Sequence, residues 1–117
     1  MSKLTTHVLD TAAGRPAAAV RIDIHAERDG AWRLLGSART NADGRVDAPL
    51  LQGADLAPGR YRLVFHVGDY FRAAGHEVAQ PAFLEQVPIE FGVSDARAHY
   101  HVPLLVTPWS YSTYRGS

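Results

Sequence analysis

Six histidines are the groups in this sequence best suited to moving protons near neutral pH. His99 and His101 lie two residues apart. On a strand both would point to one face, about 7 Å apart along the chain. Such a pair can hold zinc, with His7 as a third ligand. No fixed spacing links His7 to the pair, so the residues alone leave that open beside neutral histidines at a wet interface. His25, His66 and His76 have ordinary surface or hydrogen-bonded accounts. Arg45 directly follows Asp43-Gly44, where a solvated turn arginine is unremarkable, yet it offers a fixed cation with several donors. The stretch 111–117, Tyr-Ser-Thr-Tyr-Arg-Gly-Ser, is dense in hydroxyls and aromatics. A closing stretch normally frays, but this one follows a strand-like segment with no linker. Asp10 near His7 invites a triad with Ser112 or Ser117, and no spacing supports one.

Period-two alternation must position these groups. Val20, Ile22, Ile24 and Ala26 alternate with Arg21, Asp23, His25 and Glu27, and Asp29-Gly30 is a hairpin signal. The return strand is expected over 32–40. Asn41-Ala42-Asp43-Gly44 is a turn with Gly44 free to take positive φ, and Arg45 opens a short strand over 45–48. Further strands are expected over 61–67, 87–93, 99–106 and 109–115, the last two divided by Thr107-Pro108. Residues 4–10 make the first, with Thr5, His7 and Leu9 on one face. Asp69 is a candidate cap for one short helix through Ala74, stopped by Gly75. About eight short strands at these spacings predict an all-β sandwich. The outer face of 99–106 carries His99 and His101, and the inner face carries Tyr100, Val102, Leu104 and Val106.

The chain has 117 residues, 46% apolar and 21% charged, which suits a single domain over 1–117. Twelve basic and twelve acidic residues are interspersed, so no basic face for nucleic acid is expected. There is no cysteine, which excludes disulfides, thiolate metal sites and a cysteine nucleophile. No GxGxxG, P-loop or Gly-x-Ser-x-Gly pattern occurs. No apolar signal region opens the sequence and no stretch suits a membrane span, so the expected location is the cytoplasm.

Several of these segments together resemble the transthyretin-like family. Leu4-Thr5-Thr6-His7-Val8-Leu9-Asp10 with Gly14-Arg15-Pro16-Ala17 resembles its opening motif. Thr40-Asn41-Ala42-Asp43-Gly44-Arg45 resembles its second, and Gly68-Asp69-Tyr70-Phe71 the lead into its single helix. His99-Tyr100-His101-Val102-Pro103-Leu104-Leu105 and Tyr111 to Ser117 resemble its closing motifs. Trp109 departs from the family's more usual tyrosine. The family has two branches, a 5-hydroxyisourate hydrolase and a thyroid-hormone carrier, and a shared fold does not choose between them. The hydrolase branch carries His, Arg and His in these motifs and ends in Tyr-Arg-Gly-Ser, matched here by His7, Arg45, His101 and 114–117. The carrier branch lacks them and extends further.

The resemblance therefore implies an eight-stranded sandwich of two four-stranded sheets with one short helix. It implies hydrolysis of 5-hydroxyisourate without cofactor or metal. His7, Arg45 and His101 are the implied catalytic residues, and His7, Arg45, Tyr114 and Ser117 the implied substrate contacts. His99 and Arg115 are expected to stand behind them. It also implies a homotetramer with sites at the dimer–dimer interface, and a small-molecule substrate as the partner.

Overall fold

Alternating apolar residues become the two inner faces of a sandwich. Among the described residues the chain forms nine strands and one α-helix. They are β1 (Lys3–Asp10), β2 (Arg15–Pro16), β3 (Arg21–Arg28), β4 (Ala31–Arg39), β5 (Leu51–Gln52), β6 (Gly59–Phe65), α1 (Val67–Ala73), β7 (Val87–Val93), β8 (Tyr100–Val106) and β9 (Tyr111–Thr113). This computed structural model describes residues 2–117. One sheet runs β2-β1-β8-β9, with β5 also on β1, and the other runs β4-β3-β6-β7. No helix among the described residues is long and apolar enough to cross a membrane.

The all-β sandwich matches the expectation, and the strand count differs in an instructive way. The strand expected over 45–48 does not form. One edge of β1 is instead covered piecewise: β2 pairs with Leu9 and Asp10, β5 pairs with Lys3 and Leu4, and Arg45 makes a single bridge to His7 between them. The tight turn at Asn41 to Gly44 and Pro49 downstream leave too little straight chain for a ladder. The last strand is also shorter than expected. Thr113 lies opposite Leu104 and Gly116 opposite His101 in one register. Between them that register sets Tyr114 opposite Pro103, which has no N–H to donate. The ladder loses a rung there, and Thr113 Oγ1 donates to the Pro103 carbonyl at 2.7 Å.

The helix starts two residues before the expected cap. Asp69 lies inside the first turn, and no side chain caps the helix. The Gly68 N–H donates to the Glu85 carbonyl instead, at 3.0 Å. The stop at Gly75 is as expected: φ is +92°, and His76 N–H and Gly75 N–H return to the carbonyls of Phe71 and Arg72.

The core lies between the sheets. Leu4 and Val8 from β1, Ile22, Ile24 and Ala26 from β3, Tyr61, Leu63 and Phe65 from β6, and Leu104 and Val106 from β8 are all buried. Each buried aliphatic or phenyl side chain contributes roughly 1.5–3 kcal/mol. Two polar residues of β1 share this inner face and both are satisfied. Thr6 Oγ1 donates to the Val102 carbonyl at 2.7 Å. Asp10 accepts from the N–H groups of Ala12 and Ala13, and from Tyr70 at 2.7 Å. Burial and this carboxylate push the Tyr70 hydroxyl up to about 12, so the link between α1 and the end of β1 persists at any ordinary pH. With even positions of β1 and β8 spent on the core, the odd positions must face outward.

Candidate active site

The parallel pairing of β1 with β8 sets the outer face. Thr5 sits opposite His101 and His7 opposite Pro103, in register along seven residue pairs. The two histidines thus come from strands nearly a hundred residues apart in sequence, and both are half-buried.

His7 is oriented by the turn that follows β4. Its Nε2 lies 2.9 Å from the Asp43 carbonyl oxygen. A carbonyl only accepts, so Nε2 carries a proton and donates. The turn itself is built by Asn41, whose Oδ1 accepts from Asp43 N–H and Arg45 N–H at 2.9 and 3.1 Å. Gly44 takes φ +75°, and a Cβ there would collide with the Val8 carbonyl oxygen. Its own carbonyl accepts from Val8 N–H at 2.8 Å. Glycine is therefore required for the turn to lie against β1, and that contact is what delivers Arg45 beside His7. The Arg45 side chain is exposed and has no carboxylate partner among the described residues.

His101 is gripped on two sides. Thr5 Oγ1 and His101 Nδ1 are hydrogen-bonded at 2.8 Å. On the other side Gly116 lies against the ring: a Cβ there would fall inside van der Waals contact of Cδ2 and 3.1 Å from Cγ. Gly116 N–H also donates to the His101 carbonyl at 2.8 Å. Burial pushes the His101 imidazole down from its ordinary value, and the positive charges of Arg45 and His7 push the same way. His101 is thus kept neutral at neutral pH.

The remaining expected residues sort differently. The Arg115 guanidinium lies 4.4 Å from the centre of the Tyr100 ring and donates to the His99 carbonyl at 3.2 Å. This ties the closing segment to the start of β8. His99 contributes that carbonyl, and its side chain is exposed. Tyr114 and Ser117 are exposed and make no side-chain hydrogen bond within the described residues. His7, His99 and His101 do not form a group of three that could hold a metal. Thr5, Gly116 and the Asp43 carbonyl are contacts that residue types alone did not single out. Thr5 was legible only as a residue sharing the face of His7.

The arrangement offers a neutral imidazole, a second imidazole oriented through its Nε2–H, and a guanidinium without a carboxylate partner among the described residues, on one open face. That set can deprotonate water and stabilise an oxyanion.

The HIUase/Transthyretin family model matches residues 4–116. A curated relative from Rhizobium meliloti (strain 1021), "5-hydroxyisourate hydrolase 2", is 59% identical over 115 residues, covering 98% of this chain and 96% of that protein. A crystal structure of (S)-allantoin synthase superimposes with a TM-score of 0.93 at 44% identity, covering 99% of this chain and 44% of that longer one. Sea bream transthyretin in complex with thyroxine superimposes with a TM-score of 0.87 at 27% identity, over 97% of this chain and 94% of that one. With one family matched across nearly every residue and a full-length relative at this identity, the chain belongs to the HIUase/Transthyretin family.

Proposed function

We propose that this chain hydrolyses 5-hydroxyisourate to 2-oxo-4-hydroxy-4-carboxy-5-ureidoimidazoline, a step of urate breakdown. The observation that carries this reading is the meeting of His7, Arg45 and His101, from three separate segments, on one sheet face. The similarity to the 5-hydroxyisourate hydrolase 2 of Rhizobium meliloti supports the substrate. The activity lies in one domain spanning 1–117, works in the cytoplasm and needs no cofactor.

His101 takes a proton from water through Nε2, the nitrogen without a hydrogen bond among the described residues, and the water oxygen adds to the cyclic amide carbonyl. Arg45 stabilises the oxyanion that develops. The C–N bond of the ring then breaks, His101 returns the proton to the leaving nitrogen, and the added oxygen remains in the new carboxyl group. His7 orients the water or the ring edge through Nδ1, the nitrogen not engaged by the Asp43 carbonyl. Tyr114 and Ser117 anchor the ring, and Arg115 with the His99 carbonyl holds their segment in place. The face is open on one chain, so a neighbouring copy completes the pocket in a homotetramer with sites at the dimer–dimer interface.

The deciding measurement is the absorbance decay of freshly generated 5-hydroxyisourate, with and without a chelator. Decay well above the unaided rate and unchanged by chelator is expected, from a species with a four-chain native mass. Unaided decay alongside calorimetric binding of thyroxine would replace the hydrolase reading with a carrier. Gly116→Ala offers a finer check. The added methyl must displace the His101 ring, and a displacement on the order of 1 Å costs about 100-fold in kcat. Unchanged kcat in that variant would show that the ring position does not matter.

A further inference from the structure

We infer that Thr5 is a positioning residue that fixes the tautomer of His101, holding the proton on Nδ1 and leaving the Nε2 lone pair for water. The inference rests on the hydrolase reading above. A general base must present a lone pair, and a neutral imidazole has one. Which nitrogen carries it is set by the partner of the other. The only side chain hydrogen-bonded to the His101 ring among the described residues is Thr5, through Nδ1 at 2.8 Å. The contact fixes the pair of atoms, and the need for an Nε2 lone pair assigns its direction: Thr5 Oγ1 accepts, and its own proton points to water on this outer, half-buried face. Were the hydroxyl to donate instead, Nε2 would carry the proton and could not accept one from water.

Three features keep this contact in place. Thr5 and His101 are paired in register on adjacent strands, which fixes the spacing of their backbones. A β-branched residue on a strand has restricted χ1 freedom, so the hydroxyl is held where the strand puts it. Gly116 lies against the ring on the other side, so the imidazole has little room to move off the Thr5 hydroxyl. His7 Nε2 faces a carbonyl that can only accept, so that nitrogen carries a proton. The two imidazoles are therefore unequal before any substrate arrives: His7 commits its Nε2 to donating, whereas the His101 Nε2 has no protein partner among the described residues. This asymmetry assigns the base role to His101.

The test uses nitrogen-15 NMR of histidine-labelled full-length protein at a pH where His101 is neutral, with His101→Gln identifying the signal. In the wild type a pyrrole-type shift at Nδ1 and a pyridine-type shift at Nε2 are expected. Thr5→Val keeps the shape and removes the oxygen, and should move the ring toward the other tautomer. With one hydrogen bond lost, kcat should fall about tenfold at unchanged KM. Thr5→Ser should restore both signals and rate. A pyridine-type Nδ1 in the wild type overturns the inference, and so does a Thr5→Val protein with wild-type shifts and kcat. Should Thr5→Val not fold, the wild-type shifts and Thr5→Ser still decide. The NMR readout needs no substrate, so a wild type with the expected tautomer but no hydroxyisourate turnover would count against the hydrolase reading and not against the role of Thr5.

Discussion

His101→Ala should lower kcat for 5-hydroxyisourate by roughly 100- to 10,000-fold, the usual worth of a positioned general base, the role proposed for it. Thermal melting should move little, because the side chain lies on the outer face and the core stripe of β8 is untouched. The pH profile of the wild type carries the same signature. Burial first, then the charges of Arg45 and His7, depress the His101 value below the ordinary 6.5. A lowered value means the imidazole stays neutral further into acid. Activity should therefore persist below pH 6.5 and fall only as the pH drops through the lowered value. Arg45→Ala removes one of the charges that depress it, so the acid limb should move toward higher pH while kcat falls by 100-fold or more, on the order of a lost oxyanion donor. Wild-type kcat in His101→Ala, His7→Ala and Arg45→Ala together would remove these residues from the mechanism. An acid limb at or above the ordinary histidine value would remove the electrostatic argument.

Deleting residues 114–117 should abolish turnover while leaving a folded protein. The deleted segment holds the Gly116 contacts with the His101 ring and carbonyl, the Arg115 stack on Tyr100 and the exposed Tyr114 and Ser117. None of these residues belongs to the buried core. β8 keeps its seven-pair ladder with β1 and its shorter one with β9. The structural cost is exposure of the Tyr100 ring and loss of a cation–π contact worth about 0.5–1 kcal/mol. Circular dichroism should thus look native while 5-hydroxyisourate decays at its unaided rate. Near-normal turnover in the truncated, folded protein would show that the closing segment is no wall of the site.

The strands that carry the site were legible because a half-buried strand writes its inner face into the sequence at every second residue. Tyr100, Val102, Leu104 and Val106 predicted which side of β8 faces the core, and so put His101 outside, while alternation in β1 put Thr5 and His7 on one common face. The short elements were less legible. β2 and β5 are two-residue strands, too short to show a period, and α1 begins where Glu85, seventeen residues further along than Gly68, supplies an acceptor. Likewise the break between β9 and Gly116 depends on Pro103 lying opposite Tyr114, which is a property of two paired segments and not of either alone.

The sequence by itself determined the sandwich class, the inner and outer faces of β8, the common face of Thr5 and His7 on β1, the turn that needs Gly44, and the residue types available for proton transfer. The tertiary structure decided which of them meet. Parallel pairing of β1 with β8 places Thr5 on the His101 ring, the bridge to Arg45 brings the cation to His7, and the return of the chain past Pro103 lays Gly116 against the imidazole. The physical reason is that periodicity is a local property of a strand, whereas tautomer, charge environment and ring position are set by neighbours from distant segments.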